Sequence, residues 1–205
     1  LIALLALAAC ERKAPAPPET SAVPFQEDRW RAAEIRAAEV PRLDKAVARF
    51  RRTENRYREI EHQRPNGVPE EIVFALHGRE SAWDFTRHLH EGSPLTQRTR
   101  NIPKGRPLVP EPPYTFEQSA EDALYVLKRM DLVNWRSLGD SLQATEAYNG
   151  LGYQKYHPDV PSPYLWSGTS LYTRGKYIAD GRFSPSAVDK QLGCAAILKR
   201  LEWRR

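Results

Sequence analysis

Cysteine and methionine are scarce in this 205-residue chain, which has two of the former and one of the latter. The two cysteines, Cys10 and Cys194, are too few for a disulfide framework. Cohesion must therefore come from a buried core, and the length allows one domain of about 150 residues plus extensions. No His-Glu-x-x-His segment occurs, which removes that zinc signature. His77 with Glu80, and His88 and His90 beside Glu91, offer ligand-type side chains, but two of these histidines lie in a predicted loop. Neither a metal nor another cofactor is expected. Internal repeats are missing, and strand-type alternation is rare, which points to a mostly α fold.

Forty per cent hydrophobic and 28% charged residues suit a soluble globular protein. The net charge of +5 favours an anionic partner such as nucleic acid, anionic lipid or bacterial wall polymer. Arg98, Arg100, Lys104 and Arg106 make a basic loop without any DNA- or RNA-binding motif, so no nucleic-acid partner is expected. The longest apolar run, Leu1 to Cys10, is too short to span a bilayer. It reads as the hydrophobic part of an export signal that looks truncated at its start, and Leu7-Ala8-Ala9-Cys10 resembles the lipobox of bacterial lipoproteins. That resemblance implies cleavage before Cys10 and its lipidation, with a plain secretory signal or a short membrane anchor as alternatives. Cys194 shares a helical face with Ile197 and Leu201, which makes it a small buried hydrophobe.

Three regions follow from composition: a signal segment over residues 1–10, an extension over 11–42, and a folded domain over 43–205. The extension starts as a Pro- and Ala-rich tether and continues as charged helix. Residues 26–62 read as one or two surface helices broken near Pro41, and eleven basic residues run from Arg29 to Arg64, the last just beyond that span. Residues 86–118 read as a long loop, with room for a short hairpin. Ser119 with Asp122 predicts a helix start, and Leu138, Leu142 and Glu146 predict a helix ending at Asn149-Gly150. Residues 151–183 read as an irregular aromatic loop, after which Ser184 and Pro185 predict a last helix with Val188, Leu192 and Ala195 inward.

The chemistry concentrates at Glu80. The stretch from Glu71 to Asp84 reads as a helix in which Glu80 extends an apolar stripe of Ile72, Leu76 and Trp83. A carboxyl among apolar side chains resists ionisation, so its pKa rises toward the range of a general acid. The plainer reading pairs Glu80 with Arg79 or another arginine. Possible second carboxylates are Asp84, one predicted turn further on, and Glu146, near Tyr148. Tyr164 and Trp166 are candidate sugar platforms or packing anchors, and Asn149-Gly150 also fits a helix C-cap.

The Glu80-Ser81 pair after an apolar turn, with Tyr148-Asn149-Gly150 downstream, resembles the lysozyme-like domain of soluble lytic transglycosylases and goose-type lysozymes. From about Gly67 to Cys194 the chain is similar to a group of bacterial lysozyme-family proteins. The pieces that carry this are His77-Gly78-Arg79-Glu80-Ser81, His88-Leu89-His90-Glu91-Gly92, Tyr148 to Tyr153, and Tyr164-Leu165-Trp166. The resemblance implies Glu80 as the acid, with Ser81, Tyr148 and Asn149 in a substrate cleft. It also implies a mostly α domain with long irregular loops and at most a small β-hairpin. The Gly-Leu-Met-Gln segment usual in transglycosylases has no counterpart; residues 92–106 begin Gly-Ser-Pro-Leu-Thr-Gln-Arg instead. The expected activity is cleavage of peptidoglycan glycan strands by a monomeric envelope lipoprotein. The alternative is a wall-binding lipoprotein without turnover.

Overall fold

The computed structural model describes residues 22–203, so Cys10, its lipobox and the tether up to residue 21 lie outside the described residues. Helices α1 (Ala22–Ala32), α2 (Val40–Glu61) and α3 (Glu70–Ser81) come first, then a loop of more than thirty residues. After it come α4 (Phe116–Glu121), a π-helical turn over Asp122–Leu127, α5 (Leu138–Asn149), and the short α6 (Gly152–Tyr156) and α7 (Pro163–Trp166). One antiparallel hairpin, β1 (Lys176–Ala179) and β2 (Arg182–Ser184), precedes α8 (Cys194–Arg200). The fold is mostly α. Among the described residues, no helix is long and apolar enough to cross a membrane.

Helix α2 opens with Pro41 in its first turn and buries Leu43, Ala46, Phe50, Tyr57 and Ile60. The spacing of three, four or seven between them defines one face toward the core, with the charged face outward. Helix α3 has no such polar face: Ile72 through His77 are all buried, because α2 packs on one side and α8 on another. Cys194, at the start of α8, is fully buried, and burial pushes its thiol pKa up to about 12. Helix α1 packs on α5, with Gln26 wholly buried, so part of the charged extension belongs to the folded body.

Three predicted boundaries move. Helix α3 stops at Ser81, because Ala82 and Trp83 both turn to positive φ (53° and 61°). The Trp83 indole folds back across Gly78, where a Cβ would meet the ring at 2.6 Å, and its Nε1–H donates to the Phe74 carbonyl at 3.0 Å. The cap of α4 is Thr115, in a capping box with Gln118, while Ser119 is engaged by the 88–90 backbone and imidazoles. The last helix starts at Cys194 instead of Pro185, and Val188 is exposed. Ser184 closes the hairpin, and buried Asp189 holds the following segment extended by accepting from Arg79. Gly193 then lets α8 approach α7, since a Cβ there would lie 2.5 Å from the Leu165 carbonyl. The hairpin lies inside the predicted aromatic loop; the 86–118 loop has only an isolated Arg87–Pro94 bridge.

Candidate active site

Glu80 sits one residue before the end of α3, where the helix runs out of core. Its side chain is partly exposed into a cavity of about 410 Å³, within the usual size of small-ligand sites (roughly 300–1,000 Å³). Burial drives the carboxyl pKa up from 4.5 to about 7, opposed by a hydrogen bond from Tyr164 and by the charges of Arg79 and Lys128. The Tyr164 hydroxyl donates to Glu80 Oε1 at 2.7 Å. Arg79 does not pair with Glu80. Its guanidinium turns to Asp189 at 3.3 Å, both side chains being 7% exposed, and lies 4.9 Å from the centroid of the Tyr164 ring.

Glu91 is the second carboxylate of this cavity. Gly92, with φ +79°, seats its turn directly on the end of α3, since a Cβ there would lie 2.6 Å from the Glu80 carbonyl oxygen. Burial alone would raise the Glu91 pKa, but hydrogen bonds from Ser93 and Asn101 outweigh it and leave the value lowered. Asn101 Nδ2 donates at 2.8 Å, and the Ser93 hydroxyl also donates to this carboxylate. One cleft thus holds a carboxyl protonated to near neutrality beside one ionised well below it.

The turn carrying Glu91 is anchored from beneath. Tyr148 donates to the Leu89 carbonyl at 3.0 Å, which places its hydroxyl under the turn. Its ring lines the cavity, with Lys128 Nζ 5.4 Å from the centroid. His90 Nε2 donates to Asp122 at 2.7 Å, and Arg106 donates to the same carboxylate at 2.6 and 2.9 Å. Burial lowers the His90 pKa to about 4, so the ring is neutral at pH 7. His88 is held between Ser119 Oγ and the Gln97 carbonyl, and His77 by the Tyr57 hydroxyl at 2.9 Å. The imidazoles are structural partners. No group of three or more His, Cys, Asp or Glu side chains able to hold a metal ion lies among the described residues.

The remaining predicted residues divide. Asn149 is exposed and lines the cavity, and Gly150 caps α5 at φ 104°. Ser81 is 9% exposed and donates back to the His77 carbonyl of its own helix, so it offers substrate nothing. Trp166 is fully buried and cannot stack on a sugar; Tyr164, 3% exposed, acts on Glu80 instead. Asp84 lies past the helix end in a turn with Thr86 and Arg87, and does not line the cavity. Glu146 is fully buried between α5 and α1, accepting from Gln26. It stands two residues before Tyr148, hence about 200° around the helix, so the two cannot share a cleft. Glu91 went unassigned as a carboxylate of the site because only a loop closure places it there. Its signals are the adjacent glycine and its place in the His88-to-Gly92 segment. Compared with known proteins, the chain matches no family model, no curated protein and no solved structure.

Proposed function

We propose that this protein cleaves glycosidic bonds in peptidoglycan glycan strands, with Glu80 as general acid. The observation that carries the reading is the paired environment of Glu80 and Glu91: one carboxyl raised to about 7, the other lowered, in one open cavity. Environments that push two carboxyl pKa values apart assign acid and base roles. Glu80 gives its proton to the glycosidic oxygen as the C1–O bond breaks and positive charge develops on the sugar ring. The Glu91 carboxylate faces that charge and can take the proton of an attacking water, which gives hydrolysis. Attack by the sugar's own hydroxyl on the same centre, with Glu80 as base, gives lytic transglycosylation.

Tyr164 keeps Glu80 oriented, and Tyr148 supports the turn that carries Glu91. Asn149, at the cavity edge, is suited to hydrogen-bond an N-acetyl group. Lys128 at the rim favours a substrate with carboxylates, such as the lactyl and peptide groups of the wall. With the apolar run and Leu7-Ala8-Ala9-Cys10 ahead of it, the domain would work as a monomeric, lipid-anchored protein on the periplasmic face of a bacterial membrane.

The test is a zymogram on purified cell wall with the full chain and its Glu80→Gln variant, followed by product analysis. Lysis that vanishes in Glu80→Gln is the expected result. Anhydro-sugar ends identify transglycosylation, and reducing ends identify hydrolysis. Undiminished lysis by the variant refutes the assignment, and wall binding without any lysis by the unaltered chain favours a carrier that lacks turnover.

A further inference from the structure

A second cavity, of about 760 Å³, adjoins the Glu80 cleft and shares Asn149 with it. Its walls are aromatic: Tyr153 and Tyr156 from α6, His157 just after, and Tyr177 and Phe183 across the hairpin. Four of these rings, Tyr153, His157, Tyr177 and Phe183, brace one another. His157 stacks on Phe183 with centroids 3.6 Å apart, and Tyr177 meets Tyr153 edge-to-face at 5.3 Å. The Tyr153 hydroxyl accepts from the Tyr177 backbone N–H at 3.2 Å, tying α6 to β1. Pre-set faces of this kind lose little freedom when a ligand arrives.

Tyr156 is 61% exposed, with Lys155 Nζ 4.9 Å from its ring centroid, so much of its ring is open to solvent at the cavity wall. The polar groups around the cavity are few: the Asn149 amide, the Asp180 carboxylate and the tyrosine hydroxyls. No lysine or arginine lines it, in contrast to the Glu80 cleft with Lys128. Lys155, over the Tyr156 ring, stands outside the lining, while the carboxylate within it, Asp180, opposes an anionic ligand. A neutral pyranose fits better, because its C–H faces pack on aromatic faces and its hydroxyl and acetamido edges bond to the amide and carboxylate.

We infer that this cavity is a subsite for neutral N-acetylated sugar residues of the strand that reacts at Glu80. The inference deepens the proposed function and rests on it for the identity of the polymer. Asn149 supplies the continuity: a chain lying across it occupies both cavities, so binding energy gathered on the aromatic faces fixes the register of the bond beside Glu80.

The probe is chitotetraose, a neutral β-1,4 oligomer of N-acetylglucosamine, titrated into the full chain carrying Glu80→Gln while aromatic ring resonances are followed by NMR. The rings of Tyr153, Tyr156 and Tyr177 are expected to shift. Tyr156→Ala, at an exposed position that folding does not need, and Tyr177→Ala are each expected to weaken binding about tenfold. In the active protein both substitutions should raise KM for wall with little change in kcat. No binding, or equal affinity in both variants, overturns the subsite. Glu80-dependent lysis with an unchanged KM in both also overturns it while leaving the cleavage reading intact. Oligosaccharide binding on these rings without Glu80-dependent lysis leaves the subsite standing and removes the cleavage reading.

Discussion

Replacing Tyr164 by Phe isolates the one hydrogen bond that holds the Glu80 carboxyl in place. The ring is 3% exposed, so Phe preserves the packing and removes only the hydroxyl that donates to Glu80 Oε1 at 2.7 Å. That bond favours the ionised carboxylate more than the neutral acid. A hydrogen bond to a charged group contributes about 1.5–3 kcal/mol, against about 0.5–1.5 kcal/mol between neutral groups. The ionised form therefore loses about 1–1.5 kcal/mol more than the protonated one, which at ~1.4 kcal/mol per pKa unit is about one unit. Since the Glu80 pKa is about 7 with the bond in place, the variant should titrate about one unit higher. The assay is the initial rate of wall lysis as a function of pH. The alkaline limb, where the acid loses its proton, should move up to about 8, while the acid limb, set by Glu91, stays where it is. An alkaline limb that stays near 7 or moves down would refute the claim that Glu80 is the titrating acid and Tyr164 its tuner.

Glu80→Gln should also change stability. The folded carboxyl pKa of about 7 lies above its ordinary 4.5, so the native state binds more protons between those values and loses stability as pH rises through that window. Gln escapes this loss, and the variant should be more stable than the parent above pH 7 by up to about 3 kcal/mol, with no advantage below about pH 4.5; denaturant melts at pH 4 and pH 8 measure the difference. Gly92→Ala puts a Cβ 2.6 Å from the Glu80 carbonyl at φ +79°, so it should cost about 1–3 kcal/mol and most of the lytic activity. Gly181→Ala, at φ +64° with open space around it, serves as the control for positive φ without a clash, and should cost less and keep the Glu80–Glu91 juxtaposition.

The parts of the fold that could be read in advance are those with a local cause. Helix α5 ends at Asn149 as its leucine spacing and the Asn149-Gly150 pair require, and Glu80 stood out because a carboxylate follows an unbroken apolar turn. The end of α3 had no such cause. Ala82 and Trp83 carry neither glycine nor asparagine, and what holds them at positive φ is the indole docking on Gly78, a contact made by tertiary packing. Asp84 was assigned a place on a helix that had already ended. Tyr164 and Trp166 lie in a Pro- and Gly-rich stretch that resembles an exposed loop, yet α7 packs on α8 and buries both. Glu146 fell on the same face as Leu138 and Leu142, so periodicity already placed it inward; the missing fact was Gln26, contributed by a helix 120 residues away.

Glu80 and Glu91 line one cavity. Here they differ because of what is withheld from Glu80. Its one close donor is a neutral hydroxyl, and the nearest cation in sequence, Arg79, is held at 3.3 Å by a buried aspartate more than a hundred residues later. Asp189 gains from that pairing, its own pKa lowered by the Arg79 charge against the effect of burial. Glu91 instead receives an amide, a hydroxyl and a backbone N–H, a donor set that suits an anion and nothing else. The segment from Ser184 to Gly193, which contains no helix and whose one deeply buried charge is Asp189, therefore acts on the cleft by keeping a guanidinium out of it. A helix over those residues would have shortened the span and left Arg79 free to neutralise the acid it adjoins.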